Sequence, residues 1–278
     1  MRFGFITCVR LGEACIREIL RLGGDLALLV TLHDDLGRSK SGRVYLDNLA
    51  RRHDIPLHKI RNVNDADAIE LLREADLDWL FIIGWSQIAG PELLAVPRKG
   101  VLGMHPTLLP QGRGRASIPW AIIKGLEQTG VTLFKLDEGV DTGPILAQEI
   151  CPLADNETAS TLYSRVAEAH VALMRHAWQR LEDDTLPMLE QDASSATEWP
   201  GRRPEQGLII PETMSVAEVD RLVRAVTHPY PGAFLETSDG DIVTIWEGHP
   251  AFGEPGPTVL RVGLTDGSYD AVSYERTT

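Results

Sequence analysis

Short apolar runs alternate with helical patterns through the first part of the chain, and this alternation restricts the fold more than any other feature. Apolar runs typical of buried strands lie at residues 2–8, 26–31 and 80–83, with a shorter one near Leu57. Strands that alternate with helices predict an α/β fold, a Rossmann-like doubly wound parallel sheet. Ligands of such sheets bind beyond the carboxyl ends of the strands.

The turn after the first apolar run argues against a dinucleotide cofactor. Residues 7–12 contain one glycine, Gly12, and lack the GxGxxG pattern that lets a backbone approach a pyrophosphate. A nicotinamide or flavin dinucleotide is therefore disfavoured, and the predicted sheet must hold another ligand.

The chain changes character after residue 182. A long helical pattern at 157–182 gives way to polar, irregular residues at 183–206, where serine, proline and glycine are typical of a linker. A second helical pattern at 216–226 precedes several short strand patterns. We therefore predict a first domain over residues 1–190, a linker over 191–206 and a small C-terminal β domain, OB-like, over 207–278.

Composition restricts the partners and the compartment. The 278 residues carry a net charge of −13, whereas proteins that grip a nucleic-acid backbone present a basic surface, so a nucleic-acid partner is disfavoured. No apolar run approaches the roughly 18 to 20 residues of a membrane span, and no signal peptide is visible, so we expect a cytoplasmic protein without a membrane partner. The cysteines at Cys8, Cys15 and Cys151 are too scattered for a disulfide framework or a zinc site, and no metal is expected.

Two segments carry candidate chemistry. Residues 103–115 form a loop rich in proline and glycine that contains His105, and residues 130–143 run from an apolar strand into an acidic turn that contains Asp141. A histidine and an aspartate at one edge of a sheet make a general base with a partner that orients it. Taken singly, such a histidine is more often structural, and an aspartate before Thr-Gly is more often a turn residue.

In combination these segments resemble a known family. Its hallmark is an Asn-x-His loop, then Ser/Thr-Leu-Leu-Pro and Arg-Gly, then a Gly-Val-Thr strand that ends in Asp-x-Gly. The chain has, in that order, His105, Thr107-Leu108-Leu109-Pro110, Arg113-Gly114, Gly130-Val131-Thr132 and Asp141-Thr142-Gly143. It therefore resembles the folate-dependent formyltransferases, which include methionyl-tRNA formyltransferase and the amino-sugar N-formyltransferases. Later segments, at 201–205 and 224–234, look most like the aminoarabinose-type sugar members.

The resemblance implies an N-formyltransferase. Its cosubstrate would be N10-formyltetrahydrofolate, its acceptor would be the amine of a small molecule, and no metal would take part. His105 would serve as general base or proton shuttle, and Asp141 would hold the imidazole and support its charged form.

One position departs from the family pattern. The family's oxyanion donor is the Asn two residues before the His, and here that position is Gly103. Loss of one such donor costs about 10² to 10³ in rate. We therefore expect a substitute: a backbone N–H near Gly103, a water, or the side chain of Gln87, Ser86 or Thr107. The alternatives are a weak or inactive relative that still binds folate, and an unusual acceptor or one-carbon group.

The resemblance also implies the folate contacts. The strand end at Ile83, Gly84, Trp85, Ser86 and Gln87 matches the family segment that contacts the pterin, and apolar walls with backbone amides suit a flat heterocycle. Core packing is the alternative role for Trp85. Leu109, together with Asp137 and Gly139 of the acidic turn, would complete this pocket.

Four arginines suggest an anion site for the acceptor. Guanidinium groups pair well with phosphate oxygens, which favours the diphosphate of a nucleotide-linked amino sugar. The residues are Arg113, Arg115, Arg202 and Arg203. Solvated or ion-paired arginines are the alternative. Other hypotheses are another small amine or methionyl-tRNA as acceptor, a 10-formyltetrahydrofolate hydrolase, and a noncatalytic folate-binding protein. Many relatives are dimers, so a homodimer is one option that the sequence does not fix.

Overall fold

The alternation of strands and helices is present in the structure, a computed structural model that describes residues 1–39 and 42–277. The strands are β1 (Phe3–Ile6), β2 (Leu26–Leu32), β3 (Leu57–Ile60), β4 (Trp79–Ile82), β5 (Gly100–His105), β6 (Arg113–Gly114), β7 (Gln128–Lys135), β8 (Ile145–Pro152), β9 (Glu198–Trp199), β10 (Ala233–Glu236), β11 (Ile242–Pro250), β12 (Leu260–Leu264) and β13 (Gly267–Thr277). The helices are α1 (Arg10–Arg21), α2 (Asp47–His53), α3 (Ala66–Glu74), α4 (Pro91–Leu94), α5 (Ser117–Ile123), α6 (Ala159–Glu182) and α7 (Val216–Val226).

The large sheet has the strand order β3-β2-β1-β4-β5-β7-β8. The pairs from β3 to β5 are parallel, as predicted, but β7 pairs with β5 in the antiparallel sense. The sheet is therefore mostly parallel, with an antiparallel pair at this end. β7 starts at the edge of the sheet where β5 ends, since Thr132 pairs with His105, so this connection needs no crossover to the opposite edge. The acidic turn at 136–144 then follows β7 and leads into β8.

Apolar side chains on both faces of the sheet explain why it forms. All four residues of β1 and of β4 are buried. On one side Trp178 of α6 packs against Phe3, with ring centroids 4.6 Å apart. Cys8 and Cys15 are also buried.

The described part of the chain divides into two compact units. The first comprises Met1–Arg113, Gly130–Ile150 and Ala167–Glu198, and the second comprises Gly114–Thr129, Cys151–Val166 and Trp199–Thr278. Both units are discontinuous in sequence. The boundaries proposed from the sequence, at 190 and 206, stay a prediction.

The second unit contains the predicted small β domain. Its sheet is antiparallel, with the strand order β10-β11-β13-β12. Helix α7 lies against β11 and β13, where Val219 and Val223 are buried together with Ile245. A mostly parallel α/β sheet with a C-terminal antiparallel β domain confirms the predicted fold class. Helix α5, also in this unit, was not predicted.

Candidate active site

His105 is the last residue of β5, and its side chain is only 10 % exposed. Its Nε2 donates a hydrogen bond to the carbonyl oxygen of Gly112 at 2.8 Å, since a carbonyl can only accept. Its Nδ1 lies 3.4 Å from Oδ2 of Asp141, whose side chain is also largely buried. The structure thus brings together the two side chains that the sequence proposed as a catalytic pair.

Asp141 reaches His105 by a route that the sequence did not predict. Because β7 is antiparallel to β5, its last residue, Lys135, pairs with Leu102. Leu102 lies three residues before His105 on β5, so the end of β7 is about 10 Å from His105 along the strand direction. The turn at 136–144 must therefore fold back toward His105, and Asp141 adopts a left-handed backbone conformation there, with φ 55°. Aspartate tolerates that conformation better than most residues.

The acidic turn is shaped by a glycine and an internal cap. A Cβ atom at Gly143 would lie 1.8 Å from the carbonyl oxygen of Lys135, so no side chain fits at this position. Asp137 caps the turn, since its Oδ1 accepts hydrogen bonds from the Gly139 N–H at 3.1 Å and the Thr142 hydroxyl at 2.7 Å.

The pair has the chemistry of an oriented proton carrier. The Gly112 carbonyl fixes the proton on Nε2, and the Asp141 carboxylate faces the other ring nitrogen. A carboxylate beside one ring nitrogen orients an imidazole for proton transfer. The arrangement can therefore take up a proton and release it again.

The loop after His105 is held by two polar side chains to which the sequence analysis gave no role. Thr132, fully buried on β7, donates to the Thr107 carbonyl at 2.7 Å and accepts from the Leu109 N–H at 3.0 Å. Gln148 of β8 donates to the Thr132 hydroxyl and to the Leu109 carbonyl, both at 2.8 Å. A threonine within an apolar strand was the available signal. The backbone of Leu109 is thus bonded within the protein, and its proposed folate contact stays a prediction.

The space beside Gly103 is filled by an apolar side chain. Gly103 lies two residues before His105 on β5, so both face the same side of the sheet. A Cβ atom at Gly103 would lie 2.7 Å from Cδ2 of Leu136 and 3.4 Å from Cε1 of Phe134. An asparagine at this position would need Leu136 to move.

Among the proposed substitute donors, Gln87 is engaged elsewhere. Its Nε2 donates to the Arg61 carbonyl at 2.8 Å, and its Oε1 accepts from the Val63 N–H at 2.9 Å and from Trp85 Nε1 at 3.2 Å. These bonds tie the segment after β4 to the segment after β3. The Thr107 hydroxyl lies in the loop after His105, 3.4 Å from the Gly112 carbonyl oxygen.

The other proposed folate residues of the strand end lie in the turn that follows β4. Ile83 is fully buried, Ser86 is exposed, and Trp85 packs partly against the core. Gly84 has φ 67°, and a Cβ atom there would lie 2.3 Å from Cγ2 of Val9. A glycine is therefore required at this bend.

The guanidinium group of Arg113, in the first unit, is hydrogen-bonded to another side chain of the protein. Its Nε and Nη2 donate to Oε1 of Gln191 at 3.1 and 2.7 Å. Gln191 in turn donates to the backbone of the acidic turn. Sequence reasoning missed Gln191, because nothing in its local pattern distinguishes it from any other polar residue of an irregular segment.

The other three arginines belong to the second unit. Arg202 lies over the ring of Trp120, with its Cζ 4.9 Å from the centroid, and partial burial lowers the pKa of its guanidinium. Arg203 and Arg115 are exposed. The backbone N–H of Arg203 donates to Gln206 Oε1 at 2.7 Å.

Within residues 1–39 and 42–277, no group of three or more His, Cys, Asp and Glu side chains is arranged to hold a metal ion. In the same residues, no helix combines the length and apolarity needed to cross a bilayer.

Comparison with known sequences places the chain. The family model described as Formyl transferase matches residues 15–177, and the model described as Formyl transferase, C-terminal domain, matches residues 202–264. The chain therefore belongs to the formyl transferase family of enzymes, which confirms the family predicted from its motifs. It is 30 % identical over 272 residues to the methionyl-tRNA formyltransferase of Agathobacter rectalis, covering 96 % of this chain and 86 % of that protein.

Solved structures share the fold. The N-formyltransferase from Helicobacter canadensis, in complex with folinic acid and dTDP-3-aminofucose, matches with a TM-score of 0.72 at 20 % identity, covering 97 % of this chain and 98 % of that one. HypX from Aquifex aeolicus, in complex with tetrahydrofolic acid, matches with a TM-score of 0.69 at 18 % identity over the whole of this chain. The chain spans 44 % of the length of HypX. The finer likeness to sugar-modifying members stays a prediction.

Proposed function

We propose that the protein transfers the formyl group of N10-formyltetrahydrofolate to the amine of a small acceptor, a nucleotide-linked amino sugar. The observation that carries this proposal is the contact between His105 and Asp141 at the end of β5, in a chain of the formyl transferase family. Folate ligands in the Helicobacter canadensis and Aquifex aeolicus structures support the donor, and dTDP-3-aminofucose in the former supports the acceptor.

In the proposed reaction, one proton passes from the acceptor amine through His105 to N10 of the folate. The acceptor amine attacks the formyl carbon, and a new C–N bond forms. His105 takes the proton that the amine loses, while the Asp141 carboxylate stabilises the charged ring. As the bond between the formyl carbon and N10 of the folate breaks, that proton passes to N10, and tetrahydrofolate leaves.

The formyl oxygen needs a hydrogen-bond donor while it carries negative charge. Gly103 cannot supply a side chain, and Gln87 is already bonded to the segment after β3. We propose the hydroxyl of Ser86 or Thr107, a backbone N–H near Gly103, or a water as the donor. Turnover by Ser86→Ala and Thr107→Val tests the two hydroxyls directly.

The remaining site residues fit the proposal in different ways. Arg115 and Arg203 are exposed and could pair with acceptor phosphates. Trp85, Asp137 and Gly139 would line the folate pocket. The proposed steps use His105, Asp141 and a hydrogen-bond donor to the formyl oxygen, and none of them calls for a metal ion.

Methionyl-tRNA is the second candidate acceptor. The 30 % identity to a methionyl-tRNA formyltransferase extends over 96 % of this chain, which favours it. The net charge of −13 argues against a partner that binds through a polyanionic backbone.

The test is an acceptor panel. The purified protein is incubated with N10-formyltetrahydrofolate and UDP-, dTDP- or GDP-linked amino sugars, or with methionyl-tRNA, and products are detected by mass spectrometry. We expect a formylated sugar, and about 10² to 10⁴ times less of it with His105→Ala. His53→Ala, which changes an exposed histidine at the end of α2, is the matched control and should retain full activity.

Other outcomes would each replace the proposal with a specific alternative. Formylation of methionyl-tRNA alone would reassign the acceptor, and release of formate without any acceptor would indicate a hydrolase. Folate binding without turnover on any amine would indicate a noncatalytic folate-binding protein.

A further inference from the structure

The side-chain amide of Gln191 makes four hydrogen bonds beside the acidic turn. Its Nε2 donates to the carbonyl oxygens of Asp141 at 2.9 Å and Gly143 at 2.7 Å. Its Oε1 accepts from Nε and Nη2 of Arg113 at 3.1 and 2.7 Å. The orientation of the amide is unambiguous, because a guanidinium only donates and a carbonyl only accepts.

These bonds close a ring around the proposed catalytic pair. His105 Nε2 donates to the Gly112 carbonyl, and Gly112 is joined by its peptide bond to Arg113. Arg113 donates to Gln191, and Gln191 donates to the backbone of Asp141, whose carboxylate faces His105 Nδ1. The two groups that contact the imidazole, the Gly112 carbonyl and the Asp141 carboxylate, are thus linked through the side-chain amide of Gln191.

The backbone of Asp141 is one that these hydrogen bonds can stabilise. Its left-handed conformation, at φ 55°, costs free energy even though aspartate tolerates it better than most residues. The carbonyls of Asp141 and Gly143 flank Thr142, so a donor shared by the two carbonyls fixes the curvature of the turn and with it the direction of the carboxylate.

Gln191 itself is positioned independently of its side chain. Leu189 and Ile145 form an antiparallel bridge, with N–H to carbonyl distances of 2.8 and 2.9 Å in the two directions. This bridge holds the segment that carries Gln191 against the start of β8. A substitution at Gln191 therefore removes the amide without releasing the backbone.

We propose that Gln191 is a positioning residue for formyl transfer: it holds the Asp141 turn against His105, and Arg113 orients it. Arg113 then acts within the protein rather than on the acceptor. This inference rests on the proposed function for its kinetic consequence, but its structural content concerns His105 and Asp141 alone.

The first measurement needs no substrate. In protein with ¹⁵N-labelled histidine, the Nδ1 resonance of His105, assigned with His105→Ala, is compared between wild type, Asp141→Asn and Gln191→Met. Methionine has nearly the length of glutamine and makes none of these hydrogen bonds. We expect both variants to move the resonance in the same direction. Gln179→Met, at an exposed position on α6, should leave it unchanged.

The second measurement is kinetic. Gln191→Met should lower kcat about 10- to 100-fold, because misplacing a catalytic group by about 1 Å has effects of that size, and should leave the KM for N10-formyltetrahydrofolate unchanged. In an Asp141→Asn background it should cost less than about twofold more, since the two residues act through one contact. Gln191→Glu keeps an acceptor for Arg113 but loses the donors, and should behave as Gln191→Met does.

Two results would overturn the inference. One is a His105 resonance that stays at its wild-type position in Gln191→Met. The other is a kinetic effect of Gln191→Met that multiplies fully with that of Asp141→Asn. If the protein formylates none of the acceptors, the proposed function fails, and the resonance experiment still decides the role of Gln191.

Discussion

The side chain of Leu136 fills the space next to Gly103 of β5. A Cβ atom added at Gly103 would lie only 2.7 Å from Cδ2 of Leu136, so the leucine can take this position only because residue 103 is a glycine. Leu136 also packs against the buried apolar cluster of the sheet, so it is not free to swing away without loss. In this chain, Leu136 therefore takes space that an asparagine side chain at position 103 would need.

We expect Gly103→Asn to destabilise the protein by about 1 to 3 kcal/mol, because it adds atoms to a filled space. Combining it with Leu136→Ala should recover part of this loss, with a coupling of about 1 kcal/mol or more. Urea unfolding of the single and double variants measures both quantities.

A matched control is Gly263→Asn on β12, where no atom lies within 4 Å of the added Cβ. Strictly additive effects of Gly103→Asn and Leu136→Ala would show that the two positions do not share a space.

Helix α7 illustrates an element whose bounds follow from local sequence. Ser215 accepts a hydrogen bond from the Glu218 N–H, and Glu218 accepts one from the Ser215 N–H at 2.8 Å, which is a reciprocal capping box. The N–H of Ser215, and after it the Ser215 hydroxyl, donate to the Glu218 carboxyl and lower its pKa below the ordinary value. The predicted helix at 216–226 agrees with the observed one because both its cap and its apolar periodicity are local. The direction of β7, in contrast, has no local signature.

Ser215→Ala should lower the free energy of unfolding by about 1 kcal/mol, the usual cost of removing a side-chain cap. Thermal unfolding followed by circular dichroism measures the change. Ser238→Ala, in an exposed turn of the same unit, makes the same substitution without touching a helix and should have little effect. Equal effects of the two substitutions would contradict the capping role.

At the scale of the whole molecule, a buried carboxylate joins helices that are far apart in sequence. Glu18 of α1 accepts hydrogen bonds from Arg21, at 2.7 and 2.9 Å, and from Arg175 of α6, at 2.5 Å. The Arg21 hydrogen bond, and after it Arg175, lowers the pKa of Glu18 from 4.5 to about 2. Packing of α6 against this part of the chain therefore depends on charge as well as on apolar contact.

The consequence is a stability that depends on pH. Because the pKa of Glu18 is lower in the folded than in the unfolded protein, its stabilisation is present above about pH 4.5 and is lost as the pH falls toward 2. Glu18→Gln should cost about 2 kcal/mol at pH 7, after allowance for solvent screening of the exposed arginines. Urea unfolding from pH 7 to pH 2 should show the two proteins converging, and a gap that stays constant would contradict the assignment.

The sequence by itself determined the elements and the candidate pair. Apolar periodicity located the main strands and helices, and the motifs around His105 and Asp141 identified the family, because such signals depend only on neighbouring residues. Tertiary structure alone decided how these parts meet. Four features join segments that are distant in sequence. They are the antiparallel pairing of β7 with β5, the fold of the acidic turn back toward His105, the packing of Leu136 beside Gly103, and the hydrogen bonds of Thr132, Gln148 and Gln191. Such contacts are set by packing and hydrogen-bond satisfaction across the folded chain, and no local pattern encodes them.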